Sequence, residues 1–125
     1  MTTRADRTTE PGDIILVDFS PVRGTEQDGV RPAIVVSESG MHELSRRAFI
    51  CPITRNTDPW PTKVMLPPGL PADGAVLVDQ LRTIDRKERI LRTLGQVPHD
   101  ILLEVRQKLA ALTGIEIAHA NSKEI

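Results

Sequence analysis

Two apolar runs frame a polar stretch near the start of the chain. Asp13-Ile14-Ile15-Leu16-Val17-Asp18-Phe19 precedes it and Pro32-Ala33-Ile34-Val35-Val36-Ser37 follows it. Both runs are short, rich in β-branched residues and bounded by turn formers, which predicts strands over 14–19 and 33–37 in a compact sheet or barrel. The connection of about a dozen residues exceeds what a hairpin needs, and long loops in small domains tend to carry function. It contains Gly24-Thr25-Glu26-Gln27-Asp28-Gly29-Val30-Arg31-Pro32. Gly24 and Gly29 can take positive φ without a steric penalty, and Pro32 keeps the preceding Arg31 extended. Arg31 is thus predicted to be aimed from this loop.

Further along, Ala48-Phe49-Ile50-Cys51-Pro52-Ile53 reads as a third strand, with Pro52 pointing to a strand end or edge. Residues 38–47 hold one helical turn or a loop, and residues 54–61 form a polar loop predicted to lie beside the first. Thr62–Leu66 alternates as a strand, residues 67–74 are turn chemistry throughout, and residues 75–78 make a fifth strand that runs into Asp79–Asp85. Alternation over 89–94 suits a strand with one solvated side. After Gly95 the period changes: Ile101, Val105, Leu109 and Leu112 recur at helical spacing, Pro98 and Asp100 suit a first turn, and Gly114 suits a stop. The pattern divides into a flexible leader over 1–11, one domain over 12–115 and a tail over 116–125. The fold class is mainly β with a C-terminal amphipathic helix.

Composition narrows the partners. With 125 residues, a net charge of −1 and 26% charged residues, the chain has a core of its own but no global field to draw it onto nucleic acid or membrane. Anion recognition must come from local patches. One stands out: Arg82, Arg86, Lys87, Arg89 and Arg92 against Asp85 and Glu88, a local charge of plus three. Such a stretch is either a wet face or an RNA contact. An aromatic content of 2% weighs against a single-strand binder built on stacking platforms. The lone Cys51 rules out an internal disulfide and suits a reducing cytoplasm, no apolar run is long enough to span a membrane, and the polar N-terminus lacks the apolar centre of a secretory signal. His42, His99 and His119 lie far apart and form no ligand pair, so no metal or other cofactor is expected. They read as a loop residue, a helix-start residue and part of the tail, and Cys51 as inert core.

Gly12-Asp13-Ile14, Val17-Asp18-Phe19-Ser20-Pro21, Gly24-Thr25-Glu26-Gln27, Arg31-Pro32-Ala33, Pro52-Ile53-Thr54 and Asp79-Gln80-Leu81-Arg82-Thr83-Ile84 together resemble the MazF/PemK family of bacterial toxin endoribonucleases. The similarity spans roughly residues 12–115, and several motifs in one order are far more specific than any alone. The resemblance implies a small SH3-like β-barrel with helices, a homodimer, and cleavage of single-stranded mRNA by a toxin restrained by a cognate, MazE-like antitoxin.

RNA carries its own nucleophile, the 2′-hydroxyl, so a catalyst need only orient it, help remove its proton and stabilise charge growing on phosphorus. A guanidinium presents paired planar donors that match phosphate oxygens, and a threonine hydroxyl adds a short neutral donor. By resemblance, Arg31 and Thr54 match the family's catalytic arginine and threonine. Glu26 is the nearest loop carboxylate and a candidate base. Thr25, Gln27, Arg55, Gln80, Arg82 and Thr83 are candidate RNA contacts, since amides and hydroxyls read unpaired base edges and guanidinium stacks on bases or binds phosphate. Structural readings stand beside these. Arg31 could staple the loop by pairing with Asp28 or Glu26, Thr54 could simply end its strand, and Trp60 could cover the core or meet a partner. A protein-binding toxin on the same barrel, similar to the gyrase-poisoning CcdB toxins, is the alternative of another class, and a catalytically silent scaffold is a third.

Overall fold

The computed structural model describes residues 9–20 and 29–116. Strands β1 (Asp13–Asp18), β2 (Val30–Val35) and β3 (Arg47–Thr54) form an antiparallel centre. Helix α1 (Ser39–Leu44) bridges β2 and β3, and β4 (Lys63–Met65) and β5 (Ala75–Leu77) follow. A 3-10 turn over Val78–Gln80 leads into β6 (Arg82–Asp85), the short helix α2 (Arg86–Arg89), β7 (Ile90–Gln96) and finally α3 (His99–Thr113). The hydrogen-bonded order is β4-β5-β3-β2-β1-β7, with β6 beside the first half of β3. The mainly β fold with a C-terminal helix is as expected. Among the described residues the seven-stranded sheet curls but does not close into a continuous barrel, since β4 and β7 end the path without pairing each other.

The central strands bury both faces, which explains why their sequences are nearly continuous apolar runs. Ile14, Ile34, Cys51 and Ile53 point into a core roofed by Ile101, Leu102 and Val105 of α3. Their neighbours Ile15, Val17, Phe19, Ala33, Val35 and Ile50 point the other way, into a second core closed by Ile84 and Ile90. The period of two in a strand sends alternate residues to opposite faces, so one sequence run builds both cores. In α3, Ile101 and Val105 are buried and Leu109 packs at the margin, as the spacing predicts. Leu112 instead stays exposed, and Leu102 and Ala110 are buried. Gly114 closes the helix in the left-handed region (φ 81°) and donates to Ala110 and Ala111.

Several local expectations are corrected. Arg31 is not on the loop: β2 starts at Val30, so Arg31 sits on a strand rung opposite Val17. Pro32 is tolerated there because it lies just outside the β2–β3 ladder, which begins at Ala33. Pro52 does not mark an edge; β3 is central, and Pro52 falls in the gap where its partner changes from β6, paired through Ile50, to β5, paired from Ile53. Within the basic stretch, the strand expected over 89–94 is present as β7, and ahead of it Asp85 caps Lys87 and Glu88 through its carboxylate and starts α2. His42 is not a loop residue. It is buried in α1, with Nδ1 donating to the Thr9 carbonyl at 2.7 Å and Nε2 hydrogen-bonded to Ser37 Oγ at 2.6 Å. Thr9, assigned from sequence to the leader, is itself buried. Cys51 is core as expected, and burial, with Asp79 adding to it, pushes its thiol up to about 12. No helix among the described residues is long and apolar enough to cross a membrane.

Candidate functional site

The ends of β2 and β3 meet at a cavity of about 400 Å³. Arg31 and Val30 reach it from β2, Thr54 ends β3 there, and Arg55 and Asn56 continue past it. The far wall comes from the proline-rich turn before β5, chiefly Pro71 and Asp73. This turn is seated closely: a Cβ on Gly74, whose φ is +119°, would lie 1.9 Å from the Thr54 carbonyl oxygen, so only glycine lets the two backbones meet. On its other side Pro71 packs on Gly95 of β7, where a Cβ would come within 2.8 Å of the proline ring.

Thr54 is prepared as a donor. Its Oγ1 accepts the Asn56 N–H at 3.1 Å, which leaves the hydroxyl proton to be directed elsewhere. Asn56 is prepared likewise, because its Oδ1 accepts the Asp58 N–H at 2.9 Å, which leaves its amide NH₂ to donate. Lys63 holds this loop by donating to the Asn56 and Asp58 carbonyls, each at 2.9 Å, and Lys108 of α3 donates to Pro61 at 2.7 Å. Within the loop Trp60 is 64% exposed and does not cover the core.

Of the residues named from sequence, the structure brings Arg31, Thr54 and Arg55 to one cavity. Thr25, Glu26 and Gln27 lie outside the described residues. Gln80, Arg82 and Thr83 do not line the cavity. Arg82 and Thr83 pair with Ile50 and Phe49, four or more residues back along β3 from Thr54, about 13 Å at strand rise. The Arg82 guanidinium lies 5.0 Å from the centre of the Phe19 ring, a cation–π contact with a buried aromatic. Sequence reasoning missed Asn56 and Asp73 as members of the site. An Asp-Gly pair after prolines signals a turn, but nothing local says which strand end that turn will cover.

The basic stretch has a different use. Arg86 donates to the His42, Ser45 and Arg46 carbonyls, and Arg89 donates to the Asp18 and Ser20 carbonyls. Arg46 pairs with Asp85, which holds that carboxyl below its usual range, chiefly through this hydrogen bond. Among the described residues no group of three or more His, Cys, Asp or Glu side chains is placed to hold a metal ion.

Residues 10–113 match the family model described as "PemK-like, MazF-like toxin of type II toxin-antitoxin system". The chain belongs to this toxin family. It is 34% identical over 103 residues to the endoribonuclease toxin MazF of Escherichia coli K12, covering 82% of this chain and 92% of that protein. The crystal structure of MazF from Deinococcus radiodurans superposes with a TM-score of 0.80 at 34% identity, over 88% of this chain and all of that one. A MazE–MazF complex from the same organism matches with a TM-score of 0.77 at 34% identity, over 89% of this chain and 100% of that one. Membership in the MazF family gives the Arg31–Thr54 cavity its chemical context: a strand-end arginine and a hydroxyl donor, side by side, on a scaffold whose named relatives are endoribonucleases.

Proposed function

We propose that this MazF-family chain is the toxin of a toxin–antitoxin pair and cleaves single-stranded mRNA at the Arg31–Thr54 cavity. The observation that carries the reading is the convergence of an arginine and a hydroxyl donor at adjoining strand ends. The scissile phosphate sits between the Arg31 guanidinium and the Thr54 hydroxyl, which bind its non-bridging oxygens and gain strength as negative charge builds in the transition state. The neighbouring 2′-hydroxyl attacks phosphorus, the 5′-oxygen of the next nucleotide leaves, and the products are a 2′,3′-cyclic phosphate and a 5′-hydroxyl. A loop carboxylate, Glu26, serves as base or positions the nucleophile. Thr25, Gln27 and Arg55 bind nucleotides, and Gln80, Arg82 and Thr83 contact the strand further along.

The protein works in the cytoplasm as a homodimer, in which two cavities share a longer RNA track. An antitoxin segment rich in acidic residues engages the same cations, so antitoxin and RNA compete. Full-affinity binding of both at once would sink that part of the reading. The chemistry needs no metal. The test is cleavage of a long single-stranded RNA in excess EDTA by wild type and by Arg31→Ala. Discrete fragments with 5′-hydroxyl ends from wild type only are expected; intact RNA from a folded wild type would overturn the proposal.

A further inference from the structure

The cavity holds a carboxylate that the phosphate chemistry does not call for. Asp73 is the one acid among its described lining residues, and it stands in a wall otherwise furnished with donors: Arg31, Thr54, Arg55 and Asn56. A carboxylate repels phosphate and can only accept hydrogen bonds. Asp73 is solvent-exposed, and on a bound RNA the groups it can accept from are base amines and hydroxyls. The β3–β5 ladder ends at the Thr54–Ala75 rung, and beyond it Asn56 and Asp73 line the same cavity from the two segments that flank that rung. Each stands two positions along the chain from that rung, one step away from the phosphate held at Arg31 and Thr54. Such a place suits a base flanking the cut better than the 2′-hydroxyl beside it.

The two side chains are also complementary. Asn56 has its carbonyl engaged by Asp58 N–H and offers NH₂ donors, while Asp73 offers acceptors. Both are rigidly mounted. Lys63 clamps the Asn56 carbonyl, and the Asp73 turn is seated by the Gly74–Thr54 contact, by Pro71 on Gly95, and by the Leu66 N–H to Gly74 carbonyl bond at 2.9 Å. We propose that Asp73 and Asn56 form a base-reading pair beside the scissile phosphate: Asp73 accepts from the exocyclic amine of one flanking base, and Asn56 donates to the acceptor next to that amine. Adenine, cytosine and guanine each present an amine with a neighbouring acceptor on an unpaired edge; uracil has no amine. The pair therefore disfavours uracil at one position next to the cut.

This inference rests on the endoribonuclease reading and on the scissile phosphate binding at Arg31 and Thr54. The test uses the full chain and four otherwise identical RNAs that vary one nucleotide on either side of a mapped cut, read as kcat/KM ratios. For wild type, uracil at one flanking position is expected to be cut about tenfold or more slowly than the best base. Asp73→Asn should erase most of that ratio. The exchange Asn56→Asp with Asp73→Asn keeps the charge and the Asp58 cap, and should restore a preference among amine-bearing bases while either single variant lacks it. A rate loss shared equally by all four RNAs, or loss of the acid limb of the kcat pH profile with the base ratios intact, would overturn base reading and make Asp73 an electrostatic or proton-transfer group. If wild type cuts no RNA, the endoribonuclease reading itself has failed; if it cuts with no base preference that Asp73 controls, only this inference has.

Discussion

Two groups of arginines in this protein carry the same charge and are used in opposite ways. At the cavity, Arg31 and Arg55 are exposed side chains on a wall shaped for a ligand. Around α2 and α3, Arg86, Arg89 and Arg106 are partly buried and donate to main-chain carbonyls: Arg86 to three in the α1–β3 turn, Arg89 to two at the exit of β1, Arg106 to Val36 at 3.0 and 2.9 Å. A guanidinium has five donors in a fixed fork, and segments that leave regular structure have carbonyls in need of donors. Two of the five cations in the densest basic stretch, Arg86 and Arg89, are therefore internal wiring. A cluster of positive residues marks an anion site only where its donors face a cavity and not a turn.

The sharpest way to break this comparison is to remove one arginine of each kind. Arg31→Ala is expected to lower the RNA cleavage rate by about a hundredfold to a thousandfold, as loss of a transition-state donor does, with little change in the urea midpoint. Thr54→Val should approach the same loss and Thr54→Ser should recover much of it, since only the hydroxyl is needed. Arg86→Met is expected to do the reverse. Three carbonyls lose a charged donor, so stability should fall by about 3 kcal/mol or more in a urea titration. Cleavage by the fraction still folded should change far less. A folded Arg86→Met protein of normal stability but no activity would show that the α2 arginines act on substrate after all.

Gly74→Ala comes next. The positive φ alone costs about 1–3 kcal/mol for a residue with a side chain, and the clash with the Thr54 carbonyl must push β3 and β5 apart. Activity should fall together with stability, in contrast to Arg31→Ala. The smallest effect concerns Asp85. The Arg46 hydrogen bond holds its carboxyl below the usual aspartate range in the fold, so ionised Asp85 contributes stability above that range and loses it as pH falls through the lowered folded value. Wild type should be more stable than Asp85→Asn at neutral pH, with the gap closing below about pH 4 in acid titrations followed by circular dichroism. High salt should narrow it as well, because the Arg46–Asp85 pair is solvent-exposed.

How far the sequence could be read varies with the range of the interaction. The apolar runs at 14–19 and 33–37, the turn at 67–74 and the helix after Pro98 were legible because each depends on neighbours within a few residues. Gly114 marked the helix end for the same reason. Pro52 misled, since a proline is confined to edges only when its missing N–H would face a partner, and the partner of β3 changes at that residue. His42 looked like a loop residue because its partners, the Thr9 carbonyl and Ser37, include a contact across 33 positions.

The sequence by itself determined the strands, the terminal helix and, through motifs in one order, the toxin family with Arg31 and Thr54 as its candidates. The tertiary structure decided what surrounds them. It moved Arg31 from a loop onto a strand rung, brought Arg55 beside it, kept Gln80, Arg82 and Thr83 out of the cavity wall, and added Asp73 and Asn56. The physical reason is that propensity and periodicity act along the chain, whereas a site is set by strand register and by close backbone approaches. Both join residues far apart in sequence, as when Gly74 meets the Thr54 carbonyl and carries Asp73 to the end of β3.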